Sequence, residues 1–102
     1  MKITDETRIK LDELQQDYNN KCFKLIKAEA EANNPYKQGD IIEDHCQIGK
    51  VLSSIIRINV DSRIYEISYK CERLTKKLKP YRGGEITTVY LGNVKRVLAN
   101  YA

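Results

Sequence analysis

The stretch Asn33-Asn34-Pro35-Tyr36-Lys37-Gln38-Gly39-Asp40 divides the chain into two rhythms. Upstream of it, from Thr4 to Asn33, there is no Gly and no Pro. Leu11, Leu14, Tyr18, Cys22, Leu25, Ile26 and Ala32 fall mostly three or four apart, which is one stripe of an amphipathic helix. Thr4 or Asp5 can cap its first amides. Asp5, Glu6, Asp12 and Glu13 suit the positive end of the helix dipole, and Lys21, Lys24 and Lys27 lie toward the other end, although Glu29 and Glu31 break the pattern. The helix stops at Asn33-Asn34 because the residue before Pro35 avoids the α region. At roughly 28 residues it would be about 42 Å long, longer than the domain behind it is wide.

Downstream of the divide the period becomes two. Gly39-Asp40 opens a strand at Ile41-Ile42-Glu43. A second strand runs Lys50 to Val60, with Leu52, Ile56, Ile58 and Val60 on one phase and a bend or bulge expected at Ser53-Ser54. Asp61-Ser62 turns the chain. From Arg63 to Arg73, Tyr65, Ile67, Tyr69 and Cys71 alternate with Glu66, Ser68, Lys70 and Glu72, the clearest strand signal present. Leu74 to Glu85 is a basic loop holding Pro80 and Gly83-Gly84. Ile86–Leu91 is a fourth strand, Gly92-Asn93 a tight turn, and Lys95–Val97 a short fifth strand. Five short antiparallel strands bury enough side chain only if the sheet curls on itself. The expected fold class is α+β: an N-terminal helix over residues 1–34 and a five-stranded antiparallel SH3-like β-barrel over residues 35–102.

The chain has 102 residues, one domain's worth of material, with 31% charged and 41% hydrophobic residues, which excludes a disordered tail. No apolar run approaches the length of a membrane span. The N-terminus turns acidic at once, so no secretory signal is expected and the expected location is cytoplasmic, host cytoplasm if the gene is viral. Three cysteines, an odd count, read as free thiols in a reducing compartment. The net charge is +4. It is uneven, with residues 1–34 slightly acidic and residues 35–102 distinctly basic.

Gly39-Asp40-Ile41-Ile42, followed by Gly49-Lys50-Val51 and a late tight turn, resembles the start of SH3-like barrels of the KOW and Tudor-like groups. Leu74-Thr75-Lys76-Lys77-Leu78-Lys79-Pro80 with Val89-Tyr90 resembles small uncharacterised proteins of Bacteroidetes and their phages. The first resemblance implies a small barrel of a kind known for nucleic-acid contacts. The second implies a viral or mobile-element origin and carries no activity.

Candidate chemistry is sparse. Asp44-His45-Cys46 holds the single histidine. Adjacent residues of an extended strand point to opposite faces, so a Cys/His pair would not meet easily. With no CxxC unit, no metal site and no cofactor are expected. The better reading there is a surface loop His beside a semi-buried Cys, while Cys22 and Cys71 read as small core residues. Glu43, Glu66 and Glu72 lie on polar phases, and no phosphate loop, GxSxG or HExxH occurs. An enzyme built around His45, Cys46 and Glu43 is the least favoured reading. Lys76, Lys77, Lys79, Tyr81 and Arg82, with Lys95 and Arg96 nearby, form a basic group with an aromatic, suited to phosphates and bases. The helix offers Leu11, Leu14, Tyr18 and Leu25 to its own barrel, to another protein or to a second copy. The expected function is therefore a small non-enzymatic binding module for a protein partner or an assembly, plausible as a phage or mobile-element accessory or inhibitor protein. A nucleic-acid-binding barrel is the alternative. No membrane partner is expected, and a homodimer through the helix is a live option.

Overall fold

The computed structural model describes residues 1–99. Helix α1 spans Asp5–Ala32. The Thr4 side chain caps it by accepting from the Thr7 amide at 3.2 Å, and the Asn33 amide closes it on the Glu29 carbonyl at 3.0 Å. Exposed ion pairs along it, such as Arg8–Asp5 and Lys21–Asp17, contribute only about 0.3–0.5 kcal/mol each. Strands β1 (Ile41–Glu43), β2 (Ile48–Asn59), β3 (Ile64–Leu74), β4 (Ile86–Tyr90) and β5 (Arg96–Ala99) follow. They form one antiparallel sheet in the order β4-β3-β2-β1-β5.

The α+β class and the five antiparallel strands stand as the sequence indicates. Closure does not: β4 and β5 share no ladder among the described residues, so the pairing is that of an open sheet. That sheet is nevertheless strongly curled. Flat, its two edges would lie about 19 Å apart. After four antiparallel steps, β4 and β5 also run in the same direction, so their connection must return along a strand length. It is only the 3₁₀ turn Leu91–Asn93 with Val94 and Lys95, too short for a flat sheet. The side chain of Gln47, at the β1–β2 turn, reaches β4 as well, accepting from Thr87 Oγ1 at 2.7 Å and donating to the Thr88 carbonyl at 3.2 Å.

The concave face holds the core: Ile42, Val51, Ile67, Tyr69, Cys71 and Val89. A register shift between Val51 and Ser53 places the expected bulge at Leu52. It switches the inward phase, so Val51 is buried whereas Leu52, assigned to the apolar phase from sequence, is only half-buried. The bulge bends β2 and lets a single strand serve both ends of the curl.

The helix is mounted at its C-terminal end. Asn33 Nδ2 donates to the Tyr65 hydroxyl at 3.0 Å, and the Tyr69 hydroxyl donates to Asn34 Oδ1. Ala30 is fully buried, and Asn19, Cys22 and Ile26 are half-buried against the β2–β3 hairpin. Asn34→Ala strips the buried Tyr69 hydroxyl of its acceptor and should cost about 1–3 kcal/mol. Urea unfolding measures that loss, and Asn34→Asp should restore most of it. Every residue from Met1 to Tyr18 is exposed. The front of the helix thus projects past the hairpin tip, which gives the molecule its extents of 69 × 25 × 20 Å.

Candidate binding surfaces

Two surfaces stand out, a cleft at one end of the sheet and a groove beside the helix. The cleft encloses about 910 Å³ between the β1–β2 turn, the end of β3 with the loop after it, and β5. Its walls include Glu43, His45, Cys46, Arg73, Lys76, Leu78, Tyr81, Arg96 and Leu98.

The β1–β2 turn is organised by Asp44, whose Oδ1 accepts from the amides of Cys46 and Gln47 at 2.8 and 2.9 Å. Burial pushes the Asp44 carboxyl up, but the hydrogen bonds from Cys46 and Gln47 outweigh it and hold its pKa below the usual carboxylate value. The Cys46 thiol bonds to that same carboxylate, which raises the thiol pKa. An activated cysteine nucleophile needs the opposite shift. Cys46 is exposed rather than semi-buried. Residues 44–46 form a turn rather than a strand, so strand alternation does not separate them. Donor atoms of Asp44, His45 and Cys46 lie within 4.8 Å of one another.

The basic loop is folded on itself. Thr75 N donates to the Lys79 carbonyl at 2.7 Å, Leu78 N donates to the Thr75 carbonyl at 2.8 Å, and Leu78 takes a left-handed φ of 61°. Of the residues singled out from sequence, Lys76, Tyr81 and Arg96 reach the cleft, whereas Lys77, Lys79, Arg82 and Lys95 do not line it. Arg96 is paired with Glu43 through two bonds of 3.2 and 3.3 Å. Arg73, not singled out from sequence, lies 4.2 Å from the Tyr81 ring centroid and pairs with Glu85 at 3.3 Å. Arg82 stands over the same ring at 5.2 Å. The ring is therefore already covered by cations, and both arginines that line the cleft are neutralised by acids. Among the described residues no ion pair joins Lys76, Lys77 or Lys79 to an acid. The sequence clue to Arg73 is its phase: it follows Tyr65, Ile67, Tyr69 and Cys71 at the same alternation, a charge where an apolar residue is expected.

The second surface lies on α1. Leu11, Leu14, Tyr18 and Leu25 are all exposed, Leu14 at 66% and Leu25 at 74%. Tyr18 and Leu25 line a groove of about 530 Å³ closed on its far side by Val60, Asp61 and Arg63 of the hairpin tip.

No family model, curated protein or solved structure matches this chain. Among the described residues, no helix is long and apolar enough to cross a membrane.

Proposed function

We propose that the protein is a small non-enzymatic binding module whose projecting helix engages a protein partner in an assembly. The observation that carries this reading is the front of α1. About 14 residues, Asp5 to Tyr18, leave their own fold with Leu11, Leu14 and Tyr18 in water on one stripe. A helix of that length is marginal without packing, and a contiguous apolar face on a soluble chain marks an interaction site. The strand order, with β5 beside β1 and a 3₁₀ turn after β4, supports an SH3-like barrel as the mount. A phage or mobile-element accessory or inhibitor role, in a cytoplasmic setting, is compatible with this design.

The second reading is a nucleic-acid interface on the basic loop, favoured by the unpaired Lys76, Lys77 and Lys79. The cations already over Tyr81 and the acid-paired arginines weigh against it. Capture from lysate with and without nuclease separates the two. A protein retained after nuclease, and lost with Leu14→Glu/Leu25→Glu but kept with Lys76→Glu/Lys77→Glu/Lys79→Glu, supports the helix reading. Retention that vanishes with nuclease or with the lysine variant overturns it in favour of nucleic acid.

A further inference from the structure

We infer that the partner of the helix is a second copy of this chain, bound antiparallel across Tyr18, an inference that rests on the helix reading above. Three observations lead to a second copy. The first is direction. At 100° per residue, the half-buried side chains Asn19, Cys22 and Ile26 with buried Ala30 share one face. Leu11, Leu14, Tyr18 and Leu25 lie on a stripe about a quarter-turn away, so the contact with the hairpin leaves the stripe free.

The second is charge. From Asp5 to Asp17 the helix is predominantly acidic, with Asp5, Glu6, Asp12, Glu13 and Asp17 against Arg8 and Lys10. From Tyr18 to Ala32 it holds Lys21, Lys24 and Lys27 against Glu29 and Glu31, so this half is net basic and the three lysines lie nearest the centre. Antiparallel pairing lays each acidic half over the lysine half of the other chain, while parallel pairing sets like on like. The Asp17–Lys21 pair, 3.1 Å apart in one chain, lies next to its symmetry mate at the centre.

The third is register. With Tyr18 opposite itself, Leu11 faces Leu25, and Leu14 falls opposite half-buried Cys22 at the border between the stripe and the hairpin-facing side. A two-fold interface of this kind uses one patch twice. The sheets do not collide, because each is fixed to the C-terminal half of its own helix and they stand at opposite ends of the pair. The front half of each helix then covers Leu25 of the other and enters the groove beside Val60 and Arg63. The seam from Leu11 to Leu25 is about 21 Å long, short enough for a dimer that dissociates on dilution.

Purified protein tests this without any lysate. Sedimentation should show a mass rising with concentration toward twice 11.8 kDa, and Leu14→Glu should weaken association at least tenfold with unchanged circular dichroism. In a Cys22→Ser/Cys46→Ser background, Tyr18→Cys should cross-link to itself on mild oxidation. An equimolar mixture of Leu11→Cys and Leu25→Cys chains should give mainly the mixed disulfide. A monomer at every concentration overturns the inference while leaving a different protein partner open to the capture experiment. Leu11→Cys homodimers in preference to the mixed species overturn the antiparallel arrangement.

Discussion

Gly49→Ala should be the most damaging single methyl group that can be added to this protein. Gly49 is buried in β2, and a Cβ built on it would meet the Cβ of Cys71 at 2.6 Å and Cγ2 of Val89 at 3.6 Å. The first distance is far inside van der Waals contact, and both atoms are fixed to backbone, so no rotamer change relieves it. The glycine is there for close approach. It lets the start of β2 press onto β3 and β4 at the tightest part of the curl, where Gln47 also reaches Thr87 and Thr88. Overpacking costs about 1–3 kcal/mol in ordinary cores, and a Cβ–Cβ collision belongs at the top of that range. The expected result is a fall of roughly 12–20 °C in Tm. Cys71→Ala keeps the offending Cβ and should give no rescue, whereas Cys71→Gly in the Gly49→Ala background should recover part of the loss. A Gly49→Ala protein as stable as the parent would mean that β2 and β3 do not approach in this way.

Alkali should unfold the protein through two core residues. Burial, reinforced by the neighbouring Tyr36, pushes the Tyr69 hydroxyl from 10.0 to about 12. Burial, with the nearby Asp44 charge, pushes the Cys71 thiol from 9.0 to about 11. Both folded values exceed the unfolded ones, so the folded state retains protons that the unfolded chain gives up. The stability associated with them is complete below pH 9. It declines first as the unfolded thiol ionises, then as the unfolded phenol ionises, and is gone by about pH 12. At 1.36 kcal/mol per pH unit the two shifts amount to about 5 kcal/mol together, as much as the whole stability of many small domains. Urea unfolding from pH 7 to pH 11 measures the decline. Cys71→Ala should remove the part that begins near pH 9, and Tyr69→Phe the part that begins near pH 10. A stability profile flat to pH 11 would show that these groups are not buried in the core.

The helix and the longer strands were legible in the sequence for a simple physical reason: apolar residues recur along most of each at the helix or strand period. Thr4 as cap, Asn33 as stop and the alternation through Tyr65, Ile67, Tyr69 and Cys71 all correspond to the structure. Three features were not legible. The face of α1 that docks on the hairpin is set by Ala30, Ile26, Cys22 and Asn19, and a small residue chosen for close approach has almost no hydropathy signal. The inward position of Val51 in place of Leu52 is a second, because the bulge at Leu52 adds one residue there, whereas Ile56, Ile58 and Val60 beyond it keep the inward phase that the sequence assigns them. The curl of the sheet depends on Gly49 and on the Gln47 contacts with β4, none of which is visible as a pattern. At the cleft, composition placed Lys76, Tyr81 and Arg96 together. It did not show that Glu43 and Glu85 neutralise the arginines, since both acids come from elements distant in sequence.

Amide hydrogen exchange on the purified chain at the lowest workable concentration is the sharpest check on the unpartnered front of the helix. Amides of Asp12 to Tyr18 should exchange orders of magnitude faster than those of Cys22 to Ala32, which are held by the hairpin, and their protection should rise as the protein is concentrated. Equal protection along the whole helix at high dilution would show that its front half is already packed within its own chain, contrary to the fold described above.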